Sequence, residues 1–199
     1  MAILDLHRCG EPPRWSPVEA ALAGGITALQ LRAKNMDSRR VYAAAVALLP
    51  RCREAGIPLI VNDRPDVAVA AGADGAHVGP GDLPPESARA ILGSRYLGAS
   101  ARDVDRLRHA EAASADYAGV GAVRATATKA DTLVIGVEGV RTLCAATSLP
   151  VLAIGGVRPE DVPVLLAAGA WGVAVAGGIF DAPDPRAAAE AYGLRLGLG

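Results

Sequence analysis

The sequence predicts a single (β/α)8 TIM barrel, an α/β fold with short loops, and three observations carry that prediction. Eight short apolar runs recur along the chain, each followed by a stretch with helical start and stop signals. The chain is 51% hydrophobic but only 4% aromatic and holds 23 glycines, which favours helices packed closely on strands. Gln30, Lys34, Asn62-Asp63, Asp82, Lys129 and the pairs Gly155-Gly156 and Gly177-Gly178 fall where apolar runs end, on the side where a parallel barrel binds ligands. At 199 residues the chain is small for this fold, so one barrel spans residues 1–199 and its connections must be short.

Met1 to Leu6 is the first strand, followed by a loop rich in Pro, Arg and Gly up to Trp15. Ser16-Pro17 opens a helix that Gly24-Gly25 closes. Ile26 to Leu31 is the second strand, and Asp37 or Ser38 caps a long amphipathic helix from Arg39 to Ala55. Leu59 to Val61 is the third strand, Pro65 to Gly72 a short helix and Ala76 to Val78 the fourth strand. Pro84-Pro85-Glu86 begins the next helix, which ends near Gly93, and Tyr96 to Ala99 is the fifth strand. After a helix from Asp103 to Ser114, Tyr117 to Val120 is the sixth strand, and a long connection runs from Gly121 to Ile135. A helix from Val137 to Thr147, strand Val151 to Ile154, a helix from Glu160 to Ala168 and strand Gly172 to Val175 follow, before a last helix from Pro185 towards Leu196. An open doubly wound sheet is the rival fold; the absence of a GxGxxG turn after the first strand argues against it.

Composition narrows the function. A formal net charge of −1 leaves no basic field for nucleic acid. The three cysteines, Cys9, Cys52 and Cys144, are far apart and form no CxxC pair, as expected of reduced thiols in a cytoplasmic protein. No apolar run approaches the length of a membrane span. Among twenty Lys and Arg residues only Lys34 and Lys129 are lysines, and both fall at strand ends, where a compact ammonium suits a phosphate.

The chemistry-bearing residues follow the strands. Gln30, Arg32 and Lys34 alternate along the second strand's end and share one face. Asn62-Asp63 ends the third strand and Asp82 follows the fourth, so both carboxylates should face one pocket and suit Mg²⁺ with a phosphate-bearing substrate. Asp63 can equally pair with Arg64 or cap the helix begun by Pro65. Ser100 ends the fifth strand, and Thr126-Ala127-Thr128-Lys129 follows the sixth with two hydroxyls and an ammonium. Gly155-Gly156 and Gly177-Gly178 follow the last two strands, the barrel's habitual phosphate site. His7, His77 and His109 form no metal cluster, and His77 is expected to be a packed or supporting histidine. No nucleophile, base and acid set occupies strand ends, so covalent catalysis is not supported.

These residues resemble one family closely, the thiamine-phosphate synthases. The motifs are QLRAK from Gln30, NDRPD from Asn62, ADGAHVGPGDLP from Ala73, LGAS ending at Ser100, TATK from Thr126 and AIGGV from Ala153, in the family's order and spacing. The resemblance implies coupling of hydroxymethylpyrimidine diphosphate to a thiazole phosphate, giving thiamine phosphate and pyrophosphate. It implies that Gln30, Arg32, Lys34, Asn62, Ser100 and Lys129 hold the pyrimidine diphosphate and that Asp63 and Asp82 hold Mg²⁺. Thr126, Thr128, Gly156 and Ala176-Gly177 would hold the thiazole phosphate. Leu31, Ala33 and Ala127 lie inside the same motifs and join the substrate-binding set, with Arg32, Ser100 and Lys129 as the catalytic candidates. The pattern departs from the family at Ala176-Gly177, where Val-Ser is usual, at Gly121-Ala122, where Gly-Pro is usual, and at Pro80, where Gln is common. The implied partners are two small-molecule substrates, with no nucleic acid and no membrane, and a homo-oligomer is compatible with the sequence. Two rivals stand beside this reading: the related thiazole tautomerase, against which Gln30, Asn62-Asp63 and Lys129 argue, and a noncatalytic phosphate-ligand binding barrel.

Overall fold

The computed structural model describes residues 1–10, 13–125 and 133–198. Eight parallel strands run in sequence order around one sheet. They are β1 (Ala2–Asp5), β2 (Leu29–Arg32), β3 (Leu59–Asn62), β4 (Gly75–Val78), β5 (Tyr96–Ala101), β6 (Tyr117–Gly121), β7 (Val151–Ile154) and β8 (Gly172–Ala174). The sheet closes on itself: Ala2 bridges Val175, the Ile3 amide donates to the Val175 carbonyl at 2.7 Å, and the Val175 amide donates to the Met1 carbonyl at 3.0 Å. This is the (β/α)8 barrel.

The helices are α1 (Ser16–Ala23), α2 (Ser38–Glu54), α3 (Pro65–Ala71), α4 (Pro85–Leu92), α5 (Val104–Ala112), α6 (Gly136–Ala145), α7 (Val162–Ala167), α8 (Gly177–Phe180) and α9 (Pro185–Leu196). Their starts follow the capping chemistry of the sequence: Asp37 accepts from the Arg40 amide at 2.9 Å to begin α2, and Asp103 accepts from the Arg106 amide at 2.9 Å to begin α5. Three of the differences from the sequence reading shape the barrel's mouth and edge. β1 ends at Asp5, because Asp5 caps a 3-10 turn over Leu6–Cys9 by accepting the His7 amide. β2 begins at Leu29, not Ile26, because that is where its neighbours begin, with Leu29 in register with both Ala2 and Leu59. The turn after β8 coils into the short helix α8.

Alternation along each strand divides the core in two. Outward residues such as Leu4, Leu29, Leu31, Leu59, Val61 and Leu97 pack beneath the helices in the main apolar cluster. Inward residues fill the barrel. At its floor Ile3, Leu152 and Ala174 cluster with Met1, Tyr117, Ile154 and Ala176. Other inward positions are polar, with Gln30 on β2 and His77 on β4 both buried. Gly98 makes that layer fit: a Cβ there would overlap both the Tyr117 ring and His77 Nδ1. The inner wall thus passes from an apolar floor to a polar mouth at the carboxyl ends of the strands.

Candidate active site

The polar mouth opens into a cavity of about 520 Å³, a size suited to a small-molecule ligand. Gln30, Arg32, Lys34, Asn62, Asp63, Asp82, Ser100, Gly156, Ala176 and Gly177 all line it. They come from β2, β3, β5 and the segments after β2, β3, β4, β7 and β8. Leu31 and Ala33 do not line it: Leu31 is fully buried in the outer core and Ala33 packs against that core. Alternation explains this, since odd-numbered neighbours of Gln30 and Arg32 face the helices. Thr126, Ala127, Thr128 and Lys129 lie outside the described residues.

The two acids meet at one corner. Asp63 follows β3 in the left-handed conformation, with φ of 67°, which Asp tolerates better than most side-chain-bearing residues. Its amide donates to the His77 carbonyl at 2.7 Å, so β4 fixes its position. Asp82 is held by the Gly79 amide at 2.7 Å. The Lys34 ammonium lies between them, in contact with Asp63 Oδ2 and 3.5 Å from Asp82 Oδ1. Burial and the adjoining Asp82 carboxyl push Asp63 up to about 6, against the pull of Lys34. Burial also acts on Asp82, but the hydrogen bonds from Asp63 and the Gly79 amide, with the Lys34 charge, hold it below the ordinary carboxylate range. The pair therefore shares one proton in mildly acidic water, carried mainly by Asp63. Among the described residues no third carboxylate, histidine or cysteine completes an all-protein metal cage. Two carboxylates beside an open cavity fit Mg²⁺, which keeps waters and takes substrate phosphate oxygens as its other ligands. The Lys34 ammonium shows that a cation is accepted between them.

Arg32 bonds Asp5 at the end of β1, and both side chains are largely buried. Asp5 is a site residue the sequence reading missed; its signal was its inward register with Arg32, visible only once β1 and β2 are aligned. Across the floor of the cavity runs a polar chain. Gln30 donates from Nε2 to Met1 Sδ at 3.5 Å and acts on the Tyr117 hydroxyl, which lies 3.2 Å from His77 Nδ1, and His77 Nε2 lies 2.9 Å from Ser100 Oγ. Burial holds the Tyr117 phenol well above its ordinary value, with Gln30 opposing. His77 is therefore a supporting residue whose ring orients Ser100.

The Gly155-Gly156 turn does more than expose backbone. Both glycines have positive φ, and a Cβ on Gly156 would stand 2.8 Å from Arg124 Cβ, so the glycines let the loop after β6 lie against β7. Arg124 clamps that contact by donating from Nε and Nη2 to the Asp161 carboxylate at 2.9 and 2.5 Å, a bidentate pair. It fixes the end of the described chain after β6, two residues before Thr126.

Comparison with known proteins gives one answer. The thiamine monophosphate synthase family model matches residues 1–179. The chain is 44% identical over 183 residues to the thiamine-phosphate synthase of Moorella thermoacetica, covering 91% of this chain and 87% of that protein. It is 44% identical over 197 residues to the thiamine-phosphate synthase of Laribacter hongkongensis, covering 97% and 93%. The solved structure of thiamine phosphate pyrophosphorylase from Pyrococcus furiosus superposes with a TM-score of 0.90 at 36% identity, over 99% of this chain and 95% of that one.

Proposed function

The chain belongs to the thiamine monophosphate synthase family and is a thiamine-phosphate synthase, a transferase, and we propose that it couples hydroxymethylpyrimidine diphosphate to a thiazole phosphate with Mg²⁺ held by Asp63 and Asp82. The observation that carries the assignment of roles is the division of the cavity. Two carboxylates, Arg32 and Lys34 stand on the β2 to β4 side, and the glycine turns after β7 and β8 stand opposite. A diphosphate with its cation suits the first side, and a monophosphate suits the second.

Asp63 and Asp82 would hold Mg²⁺, which would supply positive charge to the diphosphate leaving group. Arg32 and Lys34, joined by Lys129, bind the departing pyrophosphate as its negative charge grows, and so lower the barrier selectively for the transition state. Gln30 and Asn62 orient the aminopyrimidine ring. Ser100, aimed by His77, donates its hydroxyl proton as a hydrogen bond to a diphosphate oxygen. Ile3, Ile154, Val157 and Ala174, the apolar part of the cavity lining, exclude water from the methylene cation that the electron-rich pyrimidine supports, leaving the thiazole nitrogen to capture it. No protein nucleophile takes part.

Supplying each substrate alone and then both together is the discriminating experiment. Thiamine phosphate and pyrophosphate should appear in equal amounts only with both. Release of pyrophosphate without thiamine phosphate, or product from one substrate alone, would overturn the coupling.

The carboxylate pair also sets a pH dependence. A cation entering the site must displace the proton that Asp63 holds up to a pH of about 6. Mg²⁺ affinity of the free protein should thus be level above about pH 7 and fall by up to about tenfold per unit below about pH 6, with proton release on binding. Without metal the sign for folding is opposite to that of an ordinary salt-bridged acid: a raised folded-state value stabilises at low pH, and that contribution fades as pH rises from the ordinary Asp value through about 6. Calorimetric titration between about pH 5 and 8 reads the affinity. A flat profile would remove Asp63 from the metal site.

The described residues include no helix long and apolar enough to cross a membrane. Cys9, Cys52 and Cys144 are free thiols, which supports a reducing, cytoplasmic setting for this biosynthetic reaction.

A further inference from the structure

We propose that Arg8, on the turn after β1, is a ligand of the thiazole phosphate and supplies the positive charge on the β7 to β8 side of the cavity. The proposal deepens the reading of this cavity as a thiamine-phosphate synthase site and rests on it.

Barrel closure brings Arg8 to that side. Because Ala2 bridges Val175, the 3-10 turn that carries Arg8 stands beside the Ala176-Gly177 turn after β8. Arg8 lines the cavity together with Gly156, Ala176, Gly177 and Asp181. Its guanidinium is paired with the Asp181 carboxylate at the end of α8. Gly177 makes that pairing available: a Cβ there would stand 2.6 Å from Asp181 Oδ2 and 4.0 Å from Arg8 Nη1. The absence of a side chain at residue 177 leaves room for Asp181 to hold Arg8 over the turn.

The charges of the cavity are sorted by side. Arg32 and Lys34 stand on the β2 to β4 side beside Asp5, Asp63 and Asp82, and Arg102 follows β5. Among the described residues lining the β7 to β8 side, the glycines offer only backbone, and Arg8 is the cation. A guanidinium has five donors in a planar fork, so Arg8 can keep a bond to Asp181 with one edge and give the other to a phosphate. Asp181 then orients the group and does not compete for all of it. Asp181 is more exposed than Arg8, with side-chain exposures of 54% and 32%, so loss of the pair leaves no buried charge behind and the barrel should fold without Arg8.

The test compares thiazole phosphate with the same thiazole lacking its phosphate, titrated into wild type, Arg8→Gln and Arg8→Lys. Arg8→Gln should weaken binding of the phosphorylated thiazole roughly tenfold or more, the scale of a lost charge-assisted bond, and leave the unphosphorylated one unchanged. Arg8→Lys should fall between. In turnover, KM for the thiazole phosphate should rise while KM for the pyrimidine diphosphate stays level. Equal losses for both thiazoles, or none for either, would overturn the proposal. If wild type makes no thiamine phosphate, the synthase reading fails separately, and inorganic phosphate becomes the probe. Weaker phosphate binding by Arg8→Gln would then support Arg8 as an anion ligand, and unchanged binding would exclude it.

Discussion

Asp63→Asn should lower kcat by roughly 10²- to 10³-fold or more, the scale expected when a group that stabilises transition-state charge is lost, while thermal unfolding changes little. Asparagine is the informative replacement because Asp63 sits at φ of 67°. Asn adopts that left-handed conformation readily, whereas Ala there adds strain of about 1–2 kcal/mol and would mix folding with chemistry. The amide keeps the side-chain volume and loses the negative charge that a hard cation requires. Its backbone bond to the His77 carbonyl is untouched. Near-normal kcat in a folded Asp63→Asn protein would take Asp63 out of the metal site.

Lys34→Met should separate two quantities that usually move together. In the free protein the Lys34 ammonium lies between Asp63 and Asp82 and competes with any other cation for them. Removing it should tighten Mg²⁺ binding several-fold, as expected for about 1 kcal/mol of repulsion at a half-exposed site. Turnover should nevertheless fall by roughly 10²-fold, because the ammonium is lost from the departing pyrophosphate. Lys34 should exchange its carboxylates for the diphosphate when metal and substrate enter. Calorimetry with Mg²⁺ alone reads the first quantity and initial rates read the second. Weaker Mg²⁺ binding with unchanged turnover would reverse both roles.

Much of this site was legible in the chain because barrel strands are short and their ends carry the chemistry. Gln30 and Arg32 were readable from alternation as sharing one face, which the barrel turns towards the cavity, and Asn62-Asp63 and Asp82 were readable from the abrupt stop of apolar runs. Contacts that depend on distant alignment were not. Asp5 meets Arg32 through the register of β1 and β2, and Arg8 reaches the β8 turn only because the barrel closes. The loop after β1 looked like unstructured Pro, Arg and Gly sequence, yet Asp5 coils its start into a 3-10 turn. Gly155-Gly156 was readable as a glycine turn after the seventh strand, but its close approach to Arg124 depends on how the β6 loop lies. The Tyr117, His77 and Ser100 chain needed Gly98 to leave room on the strand between them. Leu31 and Ala33 belong to a binding motif by sequence while their side chains serve the outer core.

The measurement that tests the central claim most directly is the initial rate of thiamine phosphate formation from both substrates, with added Mg²⁺ and then with a chelator in excess. The account predicts product with Mg²⁺, loss of the rate on chelation and its return when Mg²⁺ is restored. A rate indifferent to chelation would contradict the role given to Asp63 and Asp82, and no product from folded protein under any of these conditions would contradict the reading of the cavity itself.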